Sequence, residues 1–329
     1  MGGIYFFLST ILTSGQIVTG NTKVFVCTGD GTIRTFKEVA GGLDGKVPVY
    51  GEDFTYTGEY EIIDDTDALG TWWRIKFKTS GKLIMLKNFI GDIFLVGGGG
   101  SGGGFYRDSS GRTTYVHIGS GGGGGYTKTL RSIEFIENTE YEILIGDGGT
   151  GVTRSSSGNK GGSTSISGIE DGTVSGGDGG KCGSSTWSPN YSGGNGGSGG
   201  GGGGYMDGGY LDSMSQGAGG SDGNNGGTSR YYHNLSGATK GFSGGTGQGS
   251  TTREFEETFS DLYAGGGAGG FYVNSTSVPA TQASGGAGGG GNAGTAGTIN
   301  LGGGGGAANN GGTSGTGGSG IIIIRKHKE

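Results

Sequence analysis

Proline and cysteine are nearly missing from this chain, with 3 Pro and 2 Cys among 329 residues. Two cysteines as far apart as Cys27 and Cys182 give neither a disulfide framework nor metal-ligand spacing, so they read as free thiols. Charge is scarce as well: Asp, Glu, Lys and Arg make up 15% of the residues and the formal net charge is −6. That balance, with its scattered Lys and Arg, speaks against nucleic acid as a partner. It is also too weak for a chain kept unfolded by its own charge. No run approaches the roughly 18 apolar residues that a bilayer span requires. The apolar start, Ile4 to Leu12, lacks the basic region and small-residue cleavage site of a secretory signal, and reads as a buried strand or an element that docks on a partner. Histidine occurs only at 117, 233 and 327, outside any H-E-x-x-H or C-x-x-C context, so no metal and no cofactor are expected.

Glycine is what the chain has instead. Of 90 Gly, 14 precede Gly97 and 76 follow from there on, which is about a third of the second segment, the level at which composition predicts architecture. Collagen fails, because Gly does not recur at every third position and almost no Pro is present. Disorder fails on the 15 Tyr and 14 Phe spread through the chain. With so much Gly, matches to G-x-G-x-x-G arise by chance, and none sits in a strand–turn–helix unit. Gly180-Lys181-Cys182 ends like a phosphate-binding loop, but Ser175 stands where the first Gly belongs and Cys182 replaces Ser or Thr. No enzymatic function is expected.

The step in composition at Val96–Gly97 divides the chain into a small β domain at 1–96, read as an attachment or oligomerisation domain, and a glycine-rich domain at 97–329. Residues 72–78 alternate between Trp73, Ile75, Phe77 and polar neighbours, and Thr79–Lys82 reads as a hairpin turn into 83–86. The short apolar runs at 93–96, 125–130, 141–146 and 321–324 fit buried strands. The run at 321–325 is expected to return and close a sheet with the earlier ones.

Long Gly runs such as 121–125, 199–204 and 302–306 resist both helix and strand, because ordering Gly costs the most backbone entropy and it brings no side chain to pack. Extended polyglycine II helices bundled side by side satisfy them. The conformation has three residues per turn and no internal hydrogen bonds, so every N–H and C=O must pair with a neighbouring helix. The expected fold is therefore all-β with little helix, carrying polyglycine II helices on a short-stranded β base. Five interruptions rich in Tyr and polar residues, at 105–118, 184–191, 205–214, 229–239 and 271–283, then read as connecting loops. Aromatic side chains give rigid contact area at low entropy cost. The candidate receptor-binding residues are Phe105, Tyr106, Tyr115, Trp187, Tyr191 and Tyr205, with Met206, Tyr210, Tyr231, Tyr232, Phe271 and Tyr272. The competing view is that these aromatics plug the ends of the glycine bundle.

Phe94-Leu95-Val96 followed by Gly97–Gly103, then Gly121–Gly125 with Tyr126-Thr127-Lys128, then Tyr141 to Gly149 and the ending Gly317–Gly320 with Ile321–Arg325, resemble the glycine-rich domain of bacteriophage tail fibres and adhesins. The resemblance covers roughly residues 90–325. It implies a virion protein of the tail or a surface appendage, made in the host cytoplasm without a signal, whose partners are other tail or fibre proteins and a host-surface glycan or protein. It also points to a homotrimer. The alternatives are a purely structural virion decoration and an extracellular glycine-rich structural protein.

Overall fold

The computed structural model describes residues 25–27, 33–35, 47–64, 71–108, 115–182, 191–207, 210–212, 223–227, 252–258, 260–270, 283–309 and 311–327. Of the expected domain at 1–96, residues 1–24, 28–32, 36–46 and 65–70 lie outside them. The chain is all-β, with a three-residue 3-10 turn at Glu254–Glu256.

Strands β1 (Phe25–Cys27) and β2 (Ile33–Thr35) form an antiparallel pair. The base of the molecule is two antiparallel five-stranded sheets. One is built from β4 (Tyr60–Asp64), β5 (Thr71–Phe77), β7 (Phe89–Val96), β10 (Thr127–Phe135) and β16 (Ile321–His327), in the order β10-β7-β16-β5-β4. The other is built from β3 (Phe54–Tyr56), β6 (Gly81–Met85), β11 (Glu140–Leu144), β12 (Thr164–Ile166) and β13 (Thr173–Val174), in the order β13-β12-β11-β6-β3. Alternation places Trp73, Ile75 and Phe77 of β5, Leu83 and Met85 of β6, Ile93 and Leu95 of β7, and Tyr141 and Ile143 of β11 in one core between the sheets. Phe89 and Phe135 stack there with ring centroids 4.6 Å apart.

The run of four isoleucines is explained by burial on both faces. Ile322 and Ile324 belong to the inter-sheet core, while Ile321 and Ile323 join Phe94 and Val96 on the outer face, under Phe255 and Tyr263. The segment 252–264 is a strap over that face. Buried Glu254 accepts from Arg74 Nη1 at 2.5 Å and from the Tyr263 hydroxyl at 2.8 Å. Arg325, also buried, donates to Asp92 at 3.1 and 3.2 Å and to Glu257 at 2.6 Å, with its guanidinium 4.0 Å from the centre of the Phe255 ring.

One expectation changes. Thr79–Lys82 is not a hairpin turn: β5 and β6 lie in different sheets, so this turn is a corner. It is fastened by Ile145 N–H on Ser80 Oγ at 2.9 Å and by the Tyr56 hydroxyl on the Thr79 carbonyl. The strand at 321–327 returns to the earlier strands as expected and sits inside their sheet, with Ile322 opposite both Leu95 and Phe77. Strands from both sides of Gly97 thus share each sheet, and the step in composition marks where β7 leaves the base for the glycine bundle.

The bundle shows the three-fold pattern expected of polyglycine II. Along 97–104 successive N–H groups point to three different neighbours in turn, at 2.8 to 3.1 Å. Residues 97, 100 and 103 donate to 126, 123 and 120; residues 98, 101 and 104 to 162, 159 and 156; residues 99 and 102 to 318 and 315. In all three cases the partner numbers fall as the donor numbers rise, so these neighbours are antiparallel. Carbonyls of the same segment accept from three further segments: 98 and 101 from 177 and 180, 100 and 103 from 305 and 308, and 99 from 149. One rod is therefore surrounded by six. At these glycines no room is left for a side chain: a Cβ on Gly99 would sit 2.1 Å from the Gly303 carbonyl oxygen, and one on Gly100 2.1 Å from that of Asp178.

Candidate functional site

The rods end in two layers. At the base, Gly97 N–H meets the Tyr126 carbonyl, Tyr126 N–H meets Ser175 and Gly320 N–H meets Gly146, each beside a strand of the sandwich. At the other end a chain of backbone bonds joins the rod termini: Gly103 to Ser120, Ser120 to Lys181, Lys181 to Ser192, Gly203 to Tyr191, Gly270 to Gly119 and Ala308 to Gly103, donor first. Gly202 donates to Gly227 beside them. The described residues that precede the five interruptions, Gly104, Cys182, Gly203, Gly227 and Gly270, all lie at this end, opposite the base.

Two of them continue their rods as strands. β8 (Phe105–Asp108), β9 (Tyr115–Ile118), β14 (Gly204–Asp207) and β15 (Tyr210–Asp212) make an antiparallel four-stranded sheet in the order β15-β14-β9-β8. Its side chains alternate. Phe105, Val116 and Ile118 close on Ala308. On the opposite parity Tyr106, His117 and Tyr205 lie in one cross-strand row, with Tyr106 opposite His117 and His117 opposite Tyr205. Tyr191, from the neighbouring rod, stacks 6.5 Å from Tyr205 at an interplanar angle of 15°, and its hydroxyl lies 2.7 Å from His117 Nδ1 in a buried hydrogen bond. Burial holds the Tyr191 phenol well above its ordinary range and pushes the nearby Cys182 thiol up to about 12, so both stay protonated and uncharged.

The predicted residues therefore divide. Phe105, Tyr191 and Tyr205 are buried within the tip. Tyr106 is 37% exposed at the rim. Tyr115, Met206 and Tyr210 are brought into the same sheet, with Tyr115 opposite Asp207, Met206 opposite Val116 and Tyr210 opposite Asp207. Trp187, Tyr231, Tyr232, Phe271 and Tyr272 lie outside the described residues. His117 was passed over in the sequence because it has no metal or catalytic context; the signal for it was the Tyr-Val-His-Ile alternation at 115–118. Asp108, Asp207 and Asp212, which the register brings beside the aromatic positions, carry no signal in a single strand.

Among the described residues no group of three or more His, Cys, Asp or Glu could hold a metal ion, and no helix is long and apolar enough to cross a membrane. No curated protein matches the chain. The model of the glycine-rich domain matches residues 89–327, a span that begins with β7 and ends with β16, and so takes in every rod of the bundle together with the strands that enter and close it. The chain belongs to the glycine-rich domain family.

Proposed function

We propose that this chain is a bacteriophage tail-fibre or tail-tip component that holds contact loops against the host surface, with its base turned towards the virion. The observation that supports this most is the convergence of all five chain exits on the end away from the sandwich. A rod packed by six others through backbone bonds bends little, so it transmits load and keeps the exits in fixed relation. The role is binding, without chemistry, and the partners are other tail proteins at the base and a host glycan or protein at the tip. Trimerisation through residues 1–96 belongs to the same proposal.

Labelled full-length chain should bind host cells and compete with intact virions for adsorption. Competition that fails at saturating chain, with virions that still carry the protein by electron microscopy, leaves a structural decoration in its place. The burial of Phe105, Tyr191 and Tyr205 favours that second role for those three side chains alone.

A further inference from the structure

Within the strap, Tyr263 N–H donates to the Thr252 carbonyl at 2.9 Å and Glu254 N–H to that of Asp261 at 3.0 Å, so its two ends meet. Arg253 Nη1 donates to the Ser260 carbonyl at 2.8 Å, and Ser260 Oγ lies 2.7 and 2.8 Å from the carbonyls of Glu254 and Glu257. A loop closed at its neck and packed on its own groups docks and undocks as one piece. Its attachments to the base fall on four consecutive strands. Glu254 takes Arg74 and Lys76 of β5, at 2.5 and 3.6 Å. Glu257 takes Arg325 of β16 at 2.6 Å, and that guanidinium lies against the Phe255 ring. Phe255 and Tyr263 meet Phe94 of β7, with ring centroids 5.9 and 5.3 Å apart. On β10 a bulge between Leu130 and Ile133, with Ser132 at φ 54° and its N–H on Asp92, accompanies the reach of Arg131 Nη2 to the Phe255 carbonyl at 2.7 Å. In the order β10-β7-β16-β5 the strap thus crosses β16 and is fastened on both sides of it.

We propose that the strap is a clasp: it closes after β16 has entered the sheet, and its opening controls how fast β16 can leave. The seat for Phe255 is made by Phe94 and Val96 of β7 with Ile321 and Ile323 of β16, and the guanidinium against its ring is also from β16. Before β16 arrives that seat is half missing, so docking the strap early buries little apolar surface. After β16 arrives, Arg325 joins Asp92 of β7 to Glu257 of the strap and is only 2% exposed. Withdrawing the strand with the strap in place strips that cation of both partners inside the protein, which costs far more than lifting the strap first. Contacts that form after the folding barrier has been crossed slow unfolding without speeding folding. The clasp therefore sets the lifetime of the folded chain rather than the speed of its formation, whatever the tip binds.

The test is the unfolding and refolding kinetics of the full chain in urea, read through tryptophan fluorescence, with Trp73 buried in the base as a reporter. Phe255→Ala should unfold roughly a hundredfold faster or more and refold within about twofold of the parent rate. Glu257→Gln, which removes one ion pair and leaves the apolar seat intact, should unfold roughly fivefold faster with refolding again unchanged. Ile322→Val, on the inner face of the same strand, should instead slow refolding by about twofold, because β16 enters at the barrier. Lys82→Ala, at the exposed pair with Glu140 in the other sheet, should leave both rates within about twofold. Refolding that slows in Phe255→Ala and Glu257→Gln in step with their loss of stability would place the strap at or before the barrier and overturn the clasp. Unfolding as slow as the parent's in both variants would overturn it too. Should Phe255→Ala not fold, Glu257→Gln carries the same decision.

Discussion

At the scale of the residue, the bundle turns on the absence of Cβ atoms where carbonyls approach. Gly99 lies against the Gly303 carbonyl on the Cα side, and its N–H is bonded to Gly318. Gly99→Ala should therefore cost about 3 kcal/mol or more, since neither backbone can move without breaking other bonds. Ala307, also buried in the bundle, already has space for its methyl, so Ala307→Gly should cost only about 1 kcal/mol, through backbone entropy and lost packing. Denaturant midpoints of the two variants check the order. Cys182 gives a pH dependence. Its thiol is raised from an ordinary 9.0 to about 12, so the folded state holds the proton more tightly than the unfolded chain does. The associated stability is whole below about pH 9 and is lost progressively towards pH 12. Melting curves over that window should fall less steeply for Cys182→Ala than for the parent, and native Cys182 should resist iodoacetamide at pH 8.

At the scale of the element, the strap 252–264 is the least local part of the base. Phe255 is buried against Phe94 and under the Arg325 guanidinium, and both Phe255 and Glu256 adopt positive φ, of 52° and 63°. Phe255→Ala should destabilise the protein by about 3–5 kcal/mol. A thermal midpoint close to that of the parent would mean that the strap is only an ornament on the sheet. The sequence made the strands at 93–96 and 321–324 legible, because β-branched and aromatic runs have few other uses. It did not disclose the strap, whose Glu254 and Arg74 are 180 positions apart and read separately as ordinary surface charges. The hairpin expected at 79–82 failed for a related reason: polar turn residues specify a reversal, but the partners of the next strand, β3 and β11, come from elsewhere in the chain. At the tip, aromatic content could not sort Tyr106 at the rim from Tyr205 inside. That sorting depends on which rod lies alongside, and it is Tyr191 of another rod that covers His117 and Tyr205.

At the scale of the whole molecule, no rod has a hydrogen bond of its own to keep, so the bundle is expected to lose its protection as a unit. Amide exchange at 97–104 should proceed only through global opening, with one common free energy, while the outer turn at 153–156 exchanges sooner. Distinct opening energies along 97–104 would show that rods detach singly. A further consequence lies in the place of β16, between β7 and β5 in the middle of its sheet. During synthesis β7 leaves the ribosome more than 200 residues ahead of β16, an interval of roughly ten seconds or more at ordinary elongation rates. Throughout it, the edges of β5 and β7 stand open to any other strand. The nascent chain cannot settle its base domain by domain; it has to wait, and many copies made on one messenger wait side by side. Assembly of this protein is then a contest between its own delayed strand and those of its neighbours, and a folding helper that shields open edges would act on the newborn chain rather than on the finished one.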